Sequence, residues 1–368
     1  MKRVIHIVGS MNRAGAETMV MNLYRQIDRE NFQFDFLYFN SQKCDYDDEI
    51  LSNGGKIFRV LPKNIFLRYY KIFLLLKGEK SIDSVHSHMN INNSVYLFIA
   101  YLARKKNRIS HSHGTEGKYH QSLFGKLYKA LSFGLIKRFS TQYIACGKAA
   151  GEYLYPKVSS SKIQLLPNAI NLKQFSESRV KNRNYLRELY KIDDKTIVLS
   201  QIGRLSKVKN HDFSIKFCKY LKQKKIKFHF VIIGAGELRL ELESIIEKEQ
   251  LNNEISFIGV RSDVPELLSG SDCILMPSLH EGFPVVLVES QAIGVPSIIS
   301  DTVSPEVDLG LNLVEFANLN DEFIIWEKKM MQMVSQNEID SQKIIKQMTD
   351  KGFNILESAK KIENIYGQ

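Results

Sequence analysis

The stretch that decides the fold runs from Cys273-Ile274-Leu275-Met276 through the loop Pro277 to His280 into Glu281-Gly282-Phe283-Pro284-Val285-Val286-Leu287-Val288-Glu289. A short apolar run, a loop and a helix start form the repeating unit of a parallel sheet covered by helices. Pro284 suits the first turn of a helix, where a missing N–H costs nothing. Gly282 to Val285 would then present backbone N–H groups at a positive helix end, a natural seat for a diphosphate. Glu281 lies in the loop and Glu289 about one and a half turns into the helix, so the carboxylates stand on the order of 10 Å apart along the axis. That is too wide for a paired acid/base site. It suits a ligand with sugar hydroxyls at both ends of a diphosphate, since a carboxylate on a ribose diol makes charge-assisted bonds worth roughly 1.5–3 kcal/mol each. An ordinary helix start, with acidic residues favoured by the dipole, gives the same pattern.

Outward from this stretch, β-rich runs alternate with amphipathic ones along the chain. Strands are expected at Arg3–Val8, Phe34–Tyr38, Lys56–Val60, Ser84–His86, Arg108–Ser112, Gln142–Ala145 and Ile163–Leu166. Helices should fill Glu17–Ile27, Asn92–Arg104, Gly125–Arg138 and Ala149–Leu154. Pro167 and Asn168 break the pattern, and a second series begins at Thr196–Ile202. It continues with strands at His229–Ile233, Ile255–Ile258, Cys273–Met276, Ser297–Ile299 and Leu313–Phe316, then turns helical from about Glu322. The reading is an α/β protein with two doubly wound, Rossmann-like domains, 1–170 and 171–350. A C-terminal helix over 351–368 should return toward the first domain.

Composition narrows the class. The chain has 368 residues, 44% hydrophobic and 25% charged, enough for two domains with their own cores. Cys44, Cys146, Cys218 and Cys273 lie far apart with no CxxC pair, which reads as four buried, reduced thiols in a reducing compartment. The apolar run after Met1-Lys2-Arg3 is too short for a signal peptide. No stretch approaches the ~20 apolar residues of a membrane span. Residues 1–170 hold 25 Lys/Arg against 12 Asp/Glu, whereas residues 171–368 hold 26 against 28. The basic first half therefore suits an anionic partner, but no nucleic-acid module is visible, so nucleic acid is not expected.

Further chemistry sits at strand ends. Gly203-Arg204-Leu205-Ser206-Lys207-Val208-Lys209-Asn210 follows the strand Thr196–Ile202. Arg204 as a planar fork and Lys209 as a point charge would together neutralise a departing diphosphate, whereas Lys207 reads as a solvated lysine. Gly9 to Glu17 forms a glycine-bearing strand–helix turn, without the full G-x-G-x-x-G spacing. Gly234-Ala235-Gly236-Glu237 resembles a nicotinamide loop, but Arg239 occupies the third glycine position, which argues against a dehydrogenase. Asp45-Tyr46-Asp47-Asp48 has the look of a metal-binding DxD and reads as an acidic helix start.

Taken in order, these stretches resemble the retaining glycosyltransferases of the GT-B fold, family 4, in the branch with bacterial exopolysaccharide and capsule enzymes. The residues that carry the resemblance are Ala14-Gly15-Ala16-Glu17, His86-Ser87-His88, His111-Ser112-His113-Gly114, Pro167-Asn168-Ala169-Ile170, Gly203-Arg204 with Lys209-Asn210, Gly234-Ala235-Gly236-Glu237, Phe257-Ile258-Gly259 and Glu281 to Glu289. The ordered set spans roughly residues 1–300. The resemblance implies two domains facing across a cleft and a nucleotide-sugar donor, more readily UDP than GDP. It implies that Glu289 binds the donor ribose and that Glu281 with the amides of Gly282, Phe283, Pro284 and Val285 holds the sugar and phosphates. Arg204 and Lys209 would clamp the diphosphate, and Gly259, Val260 and Arg261 would line the base pocket largely through backbone. Gly15 would sit under the donor phosphates, and His113 would contact the donor sugar, with His111 as the competitor. Relatives usually carry Gly-Gly where this chain has Ala14-Gly15, so a methyl group crowds that approach. The resemblance also implies retention at the anomeric carbon with no metal and no other cofactor.

Lys63, Arg68, Lys71, Lys77 and Lys80 interleave with Phe66, Leu67, Tyr69, Tyr70 and Phe73, and a like mixture recurs over Lys126 to Phe139. Such helices suit an anionic membrane interface, and equally a core-facing helix with a basic back. With the resemblance, the first reading gives a cytoplasmic enzyme, peripheral on the inner face of the cell membrane, with a lipid-linked oligosaccharide acceptor. A nucleotide-sugar epimerase of similar fold and a non-catalytic partner subunit are the alternatives.

Overall fold

The apolar runs pair into two parallel sheets. The computed structural model describes residues 1–114, 122–336 and 338–367, and the chain divides into one unit of residues 1–170 joined by the segment from Gly352, and a second of Asn171–Lys351.

The first unit runs β1 (Lys2–Ile7), α1 (Gly15–Gln26), β2 (Phe32–Tyr38), α2 (Asp47–Ser52), β3 (Ile57–Arg59), α3 (Ile65–Gly78), β4 (Ile82–Ser87), α4 (Asn93–Leu102), β5 (Asn107–Ser112), α5 (Leu123–Phe139), β6 (Gln142–Ala145), α6 (Lys148–Leu154) and β7 (Ile163–Leu165). Its strands lie in the order β3-β2-β1-β4-β5-β6-β7. The second runs α7 (Leu172–Asn182), α8 (Tyr185–Tyr190), β8 (Ile197–Ile202), α9 (His211–Gln223), β9 (Phe228–Ile233), α10 (Arg239–Lys248), β10 (Ile255–Gly259), α11 (Val264–Ser269), β11 (Cys273–Met276), α12 (Val285–Ile293), β12 (Ser297–Ser300), β13 (Val314–Ala317), α13 (Phe323–Val334) and α14 (Ser341–Asp350). Its order is β10-β9-β8-β11-β12-β13. Each sheet thus reverses its winding beside its first strand, at β1/β4 and at β8/β11, where such folds take ligands.

Strands such as β9 are buried along their whole length, because helices cover both faces. One face of the first sheet packs Val4, Phe34, Phe36 and Tyr38 against α1; the other packs Ile5, Ile7 and Val85 against α3 and α4. Caps set several helix starts: the Asn64 side chain accepts from the N–H groups of Phe66 and Leu67, and Ser122 accepts from Gly125.

The last helix, α15 (Ile355–Gly367), belongs to the first core. Its Ile355, Ile362, Ile365 and Tyr366 pack with Val4, Tyr24 and Phe34. The Ile355 N–H donates to the Ile170 carbonyl, and Ile170 donates to the Phe353 carbonyl.

Some sequence expectations need correction. α12 starts at Val285, so Pro284 ends the loop and supplies no N–H donor, and the Leu287 N–H already bonds to the Pro284 carbonyl. Cys146 is only half-buried, unlike Cys44, Cys218 and Cys273. The helices α7 and α8 carry too little apolar periodicity to stand out. Among the described residues no helix is long and apolar enough to cross a membrane.

Ile362 is fully buried. Ile362→Ala should therefore cost about 2–5 kcal/mol, read as a lower urea midpoint; an unchanged midpoint would mean that α15 does not hold the first unit together.

Candidate active site

In the second unit the loops after β8 and β11 leave the sheet at the reversal and are tied together. Lys209 Nζ lies 2.7 Å from Glu281 Oε1, both side chains largely shielded. The Leu279 N–H donates to the Val208 carbonyl, and Asn210 Nδ2 donates to the Pro277 carbonyl. Gln201 Nε2 donates to the Lys209 carbonyl at 2.8 Å, and its own Oε1 accepts from Ser214. Glu281 is fixed from behind, where its carbonyl accepts from the Ser304 N–H.

Close backbone packing sets the floor. A Cβ on Gly234, at φ +145°, would lie 2.0 Å from the Gly203 carbonyl oxygen, and one on Gly236 would lie 2.3 Å from that of Leu205. Only glycine fits at these positions. Gly282 is different: a Cβ there would meet nothing within 4 Å, so it leaves open space before the α12 N-terminus.

In the first unit, five histidines gather where β1, β4 and β5 end. His6 Nδ1 lies 3.0 Å from His88 Nε2, His88 Nδ1 2.7 Å from His113 Nε2, and His86 Nε2 3.2 Å from His111 Nδ1. Burial holds all five well below the usual imidazole range, His6 at about 3 and His113 at about 4, so they are neutral at pH 7. Ring nitrogens of His6, His86 and His88, and of His88, His111 and His113, lie within 4.8 Å of one another, close enough for an imidazole metal site. His88 joins the two groups, its Nε2 facing His6 and its Nδ1 facing His113.

Asp47, of the acidic cluster, is buried and accepts from Tyr38, Arg59 and the Cys44 N–H. Its oxygens serve the fold.

The sequence model of glycosyltransferase family 4 matches residues 13–174, and that of glycosyl transferases group 1 matches residues 182–309. EpsF of Bacillus subtilis, described as a glycosyltransferase, is 33% identical over 370 residues, covering 99% of this chain and 96% of its own. This chain belongs to the family 4 glycosyltransferases. The UDP-Gal:alpha-D-GlcNAc-diphosphoundecaprenol alpha-1,3-galactosyltransferase of Escherichia coli is 29% identical over 313 residues, 80% of this chain and 77% of that one. The crystal structure of Anabaena HepE in complex with UDP matches over 99% of both chains with a TM-score of 0.74 at 16% identity, and with the two sheet orders this gives the GT-B fold.

Within this glycosyltransferase, the residues singled out from the sequence fall as follows. Lys209 and Glu281 are brought together. Arg204, on the same loop as Lys209, is exposed; its carbonyl accepts from the Ser206 N–H, and its side chain makes no hydrogen bond or ion pair among the described residues. Phe283 packs with Met276 and Leu287 beneath the loop. Gly259 closes β10 at φ +71° and its carbonyl accepts from the Gly234 N–H. Val260 is exposed, and the Arg261 side chain is held by Asp263 and Tyr185. Gly15 opens α1 after Ala14, both exposed. His111 and His113 both stand in the histidine group.

Glu289 lies one turn into α12, and its carboxyl has no hydrogen-bond partner among the described residues. Desolvation pushes its carboxyl up to about 7. A partly buried carboxylate without a partner is poorly solvated and open to a ligand that donates to it. Burial also raises the Glu17 carboxyl.

Sequence reasoning missed two features. His211, next to the cationic loop, is 1% exposed with neither ring nitrogen bonded, and burial beside Lys209 brings it down to about 4. A lone histidine at a helix start gives no signal. His6 was hidden in the first strand, whose run Val4 to Val8 reads as core.

Between pH 4.5 and about 7 folded Glu289 keeps a proton that the unfolded chain has released, so stability falls as pH rises through that window. Glu289→Gln should therefore melt higher than the parent at pH 8 and alike at pH 4; parallel melting curves at both pH values would place the carboxyl in its ordinary range.

Proposed function

We propose that the protein transfers a hexose-type sugar from a UDP-sugar to a lipid-linked saccharide in surface polysaccharide biosynthesis, retaining the anomeric configuration. The observation that carries this reading is the Lys209–Glu281 pair at the β8/β11 reversal, beside the open N-terminus of α12. A diphosphate placed there meets the Lys209 ammonium, the Arg204 fork and the helix end, while Glu281 accepts from sugar hydroxyls. Glu289, without a protein partner, accepts from the ribose diol. The Lys209 ammonium, the Arg204 fork and the helix end face the charge that develops on the departing diphosphate, the role a divalent ion has in other transferases. The C1–O bond to the phosphate breaks as the acceptor hydroxyl attacks from the same face, and its proton passes to the leaving diphosphate. The Escherichia coli relative's diphosphoundecaprenol acceptor supports a lipid-linked acceptor here.

The first unit supplies the surface for such an acceptor. Phe66 is 79%, Leu123 82% and Phe124 84% exposed, and Leu67, Tyr70, Leu74, Leu127 and Leu131 are exposed along α3 and α5. Lys63, Lys71, Lys126 and Lys137 stand among them. Apolar side chains ringed by cations bind an anionic interface through both burial and charge. On this reading the enzyme works at the inner face of the cell membrane.

Arg204→Ala should leave the melting temperature unchanged and lower kcat/KM about 100-fold, measured as acceptor-dependent UDP release in the presence of EDTA. Release that ignores the acceptor, or that EDTA abolishes, counts against transfer without a metal. Liposomes of anionic lipid should float the protein at low salt and much less at high salt, and Leu123→Ser with Phe124→Ser should reduce flotation at both. Equal recovery with neutral liposomes would exclude the charge contribution.

A further inference from the structure

Two groups that a donor would engage are engaged with each other. Lys209 Nζ and Glu281 Oε1 lie 2.7 Å apart, with side chains only 17% and 18% exposed. Among the described residues each is the other's only side-chain partner. The pair does not create the approach of its two loops. Backbone bonds fix that approach: the Leu279 N–H on the Val208 carbonyl, Asn210 Nδ2 on the Pro277 carbonyl, and Gln201 Nε2 on the Lys209 carbonyl. The two side chains can therefore part while the loops stay in place.

The closed arrangement needs a glycine beneath it. A Cβ on Gly203 would lie 3.1 Å from Lys209 Cε and 3.3 Å from its Cδ, so the lysine stem runs flat along a backbone without a side chain. Arg204, the next residue, is exposed, and its side chain is unpaired among the described residues. An arriving anion thus meets one free cation and one that is already paired.

That asymmetry separates two ligands that share a diphosphate. UDP takes Lys209 only by leaving Glu281 a shielded carboxylate with no partner, and stranding one member of a shielded pair is costly. A UDP-sugar gives phosphate oxygens to Lys209 and hydroxyl donors to Glu281 together, so both halves of the pair are replaced by charge-assisted bonds. Transfer removes the half of the ligand that serves Glu281.

We propose that the Lys209–Glu281 pair is an internal substitute for the donor, opened by an intact nucleotide sugar and closed against UDP. The pair closes again when the sugar has left, and UDP is then held by Arg204 and the α12 end without Lys209. This exchange rests on the UDP-sugar reading given above.

Isothermal titration of the full chain with UDP, UDP-glucose, UDP-galactose and UDP-N-acetylglucosamine tests the exchange. Glu281→Gln frees Lys209 and should tighten UDP about tenfold, while the tightest UDP-sugar gains less because it loses a charged acceptor. Equal tightening of both would be a plain charge effect and overturns the proposal. Lys209→Met with Glu281→Gln replaces the pair by neutral groups. The double variant should bind UDP within about threefold of the parent and the UDP-sugar roughly 30-fold more weakly. Equal weakening of both ligands would mean that Lys209 holds UDP in the parent, which also overturns it. A reading that needs no variant to fold comes from parent protein labelled with nitrogen-15 at lysine Nζ. Saturating UDP should leave the Lys209 ammonium resonance nearly in place and the UDP-sugar should move it; equal movement counts against the exchange. A parent protein that binds none of the four ligands would overturn the UDP-sugar reading, and the proposal with it, whereas binding with equal responses overturns the exchange alone.

Discussion

A parallel sheet wound outward from its middle has one place where successive connections part in opposite directions, and no other place leaves strand ends uncovered. Both units of this glycosyltransferase are governed by that constraint. At β8/β11 it leaves room for the loops that carry Lys209 and Glu281. At β1/β4 it lets His6, His86 and His88 stand side by side, with His86 in register with His6.

The two sites answer the same constraint with opposite electrostatics. The second unit holds full charges, a shielded ammonium against a carboxylate, on loops stitched by backbone hydrogen bonds. An ion pair at a largely desolvated position stabilises little once its desolvation is counted, but it keeps both groups oriented. Among the described residues the first unit gathers imidazoles at the corresponding position. Burial and the crowding of five rings keep its imidazoles neutral.

Close glycine contacts and a returning helix keep these sites rigid. The Gly203 and Gly234 backbones touch at a distance that excludes any side chain, so the loops after β8 and β9 form one floor. In the first unit α15 fills the core with Ile362, Ile365 and Tyr366, and the Tyr366 hydroxyl reaches the histidine layer from below. A side chain 280 positions away in sequence from His86 thus contributes to the same hydrogen-bond path.

Period and punctuation in the sequence determined the alternation of strands and helices, the break near Pro167 and the run from Cys273 to Glu289, because buried parallel strands must be apolar on both faces. Glycine and charge at strand ends likewise pointed to Gly203, Lys209 and Glu281. Local pattern did not reveal the start of α12 after Pro284, the weakly apolar α7 and α8, or the isolation of His211, since each depends on backbone geometry or on what lies above it. The histidine group was furthest from view, with His6 inside an apolar run that reads as core and Tyr366 far away on the terminal helix. Only the lateral order β1-β4-β5, set by long-range pairing, brings their rings within hydrogen-bonding distance, and a hydrogen bond depends on distance and direction that no spacing along a chain encodes.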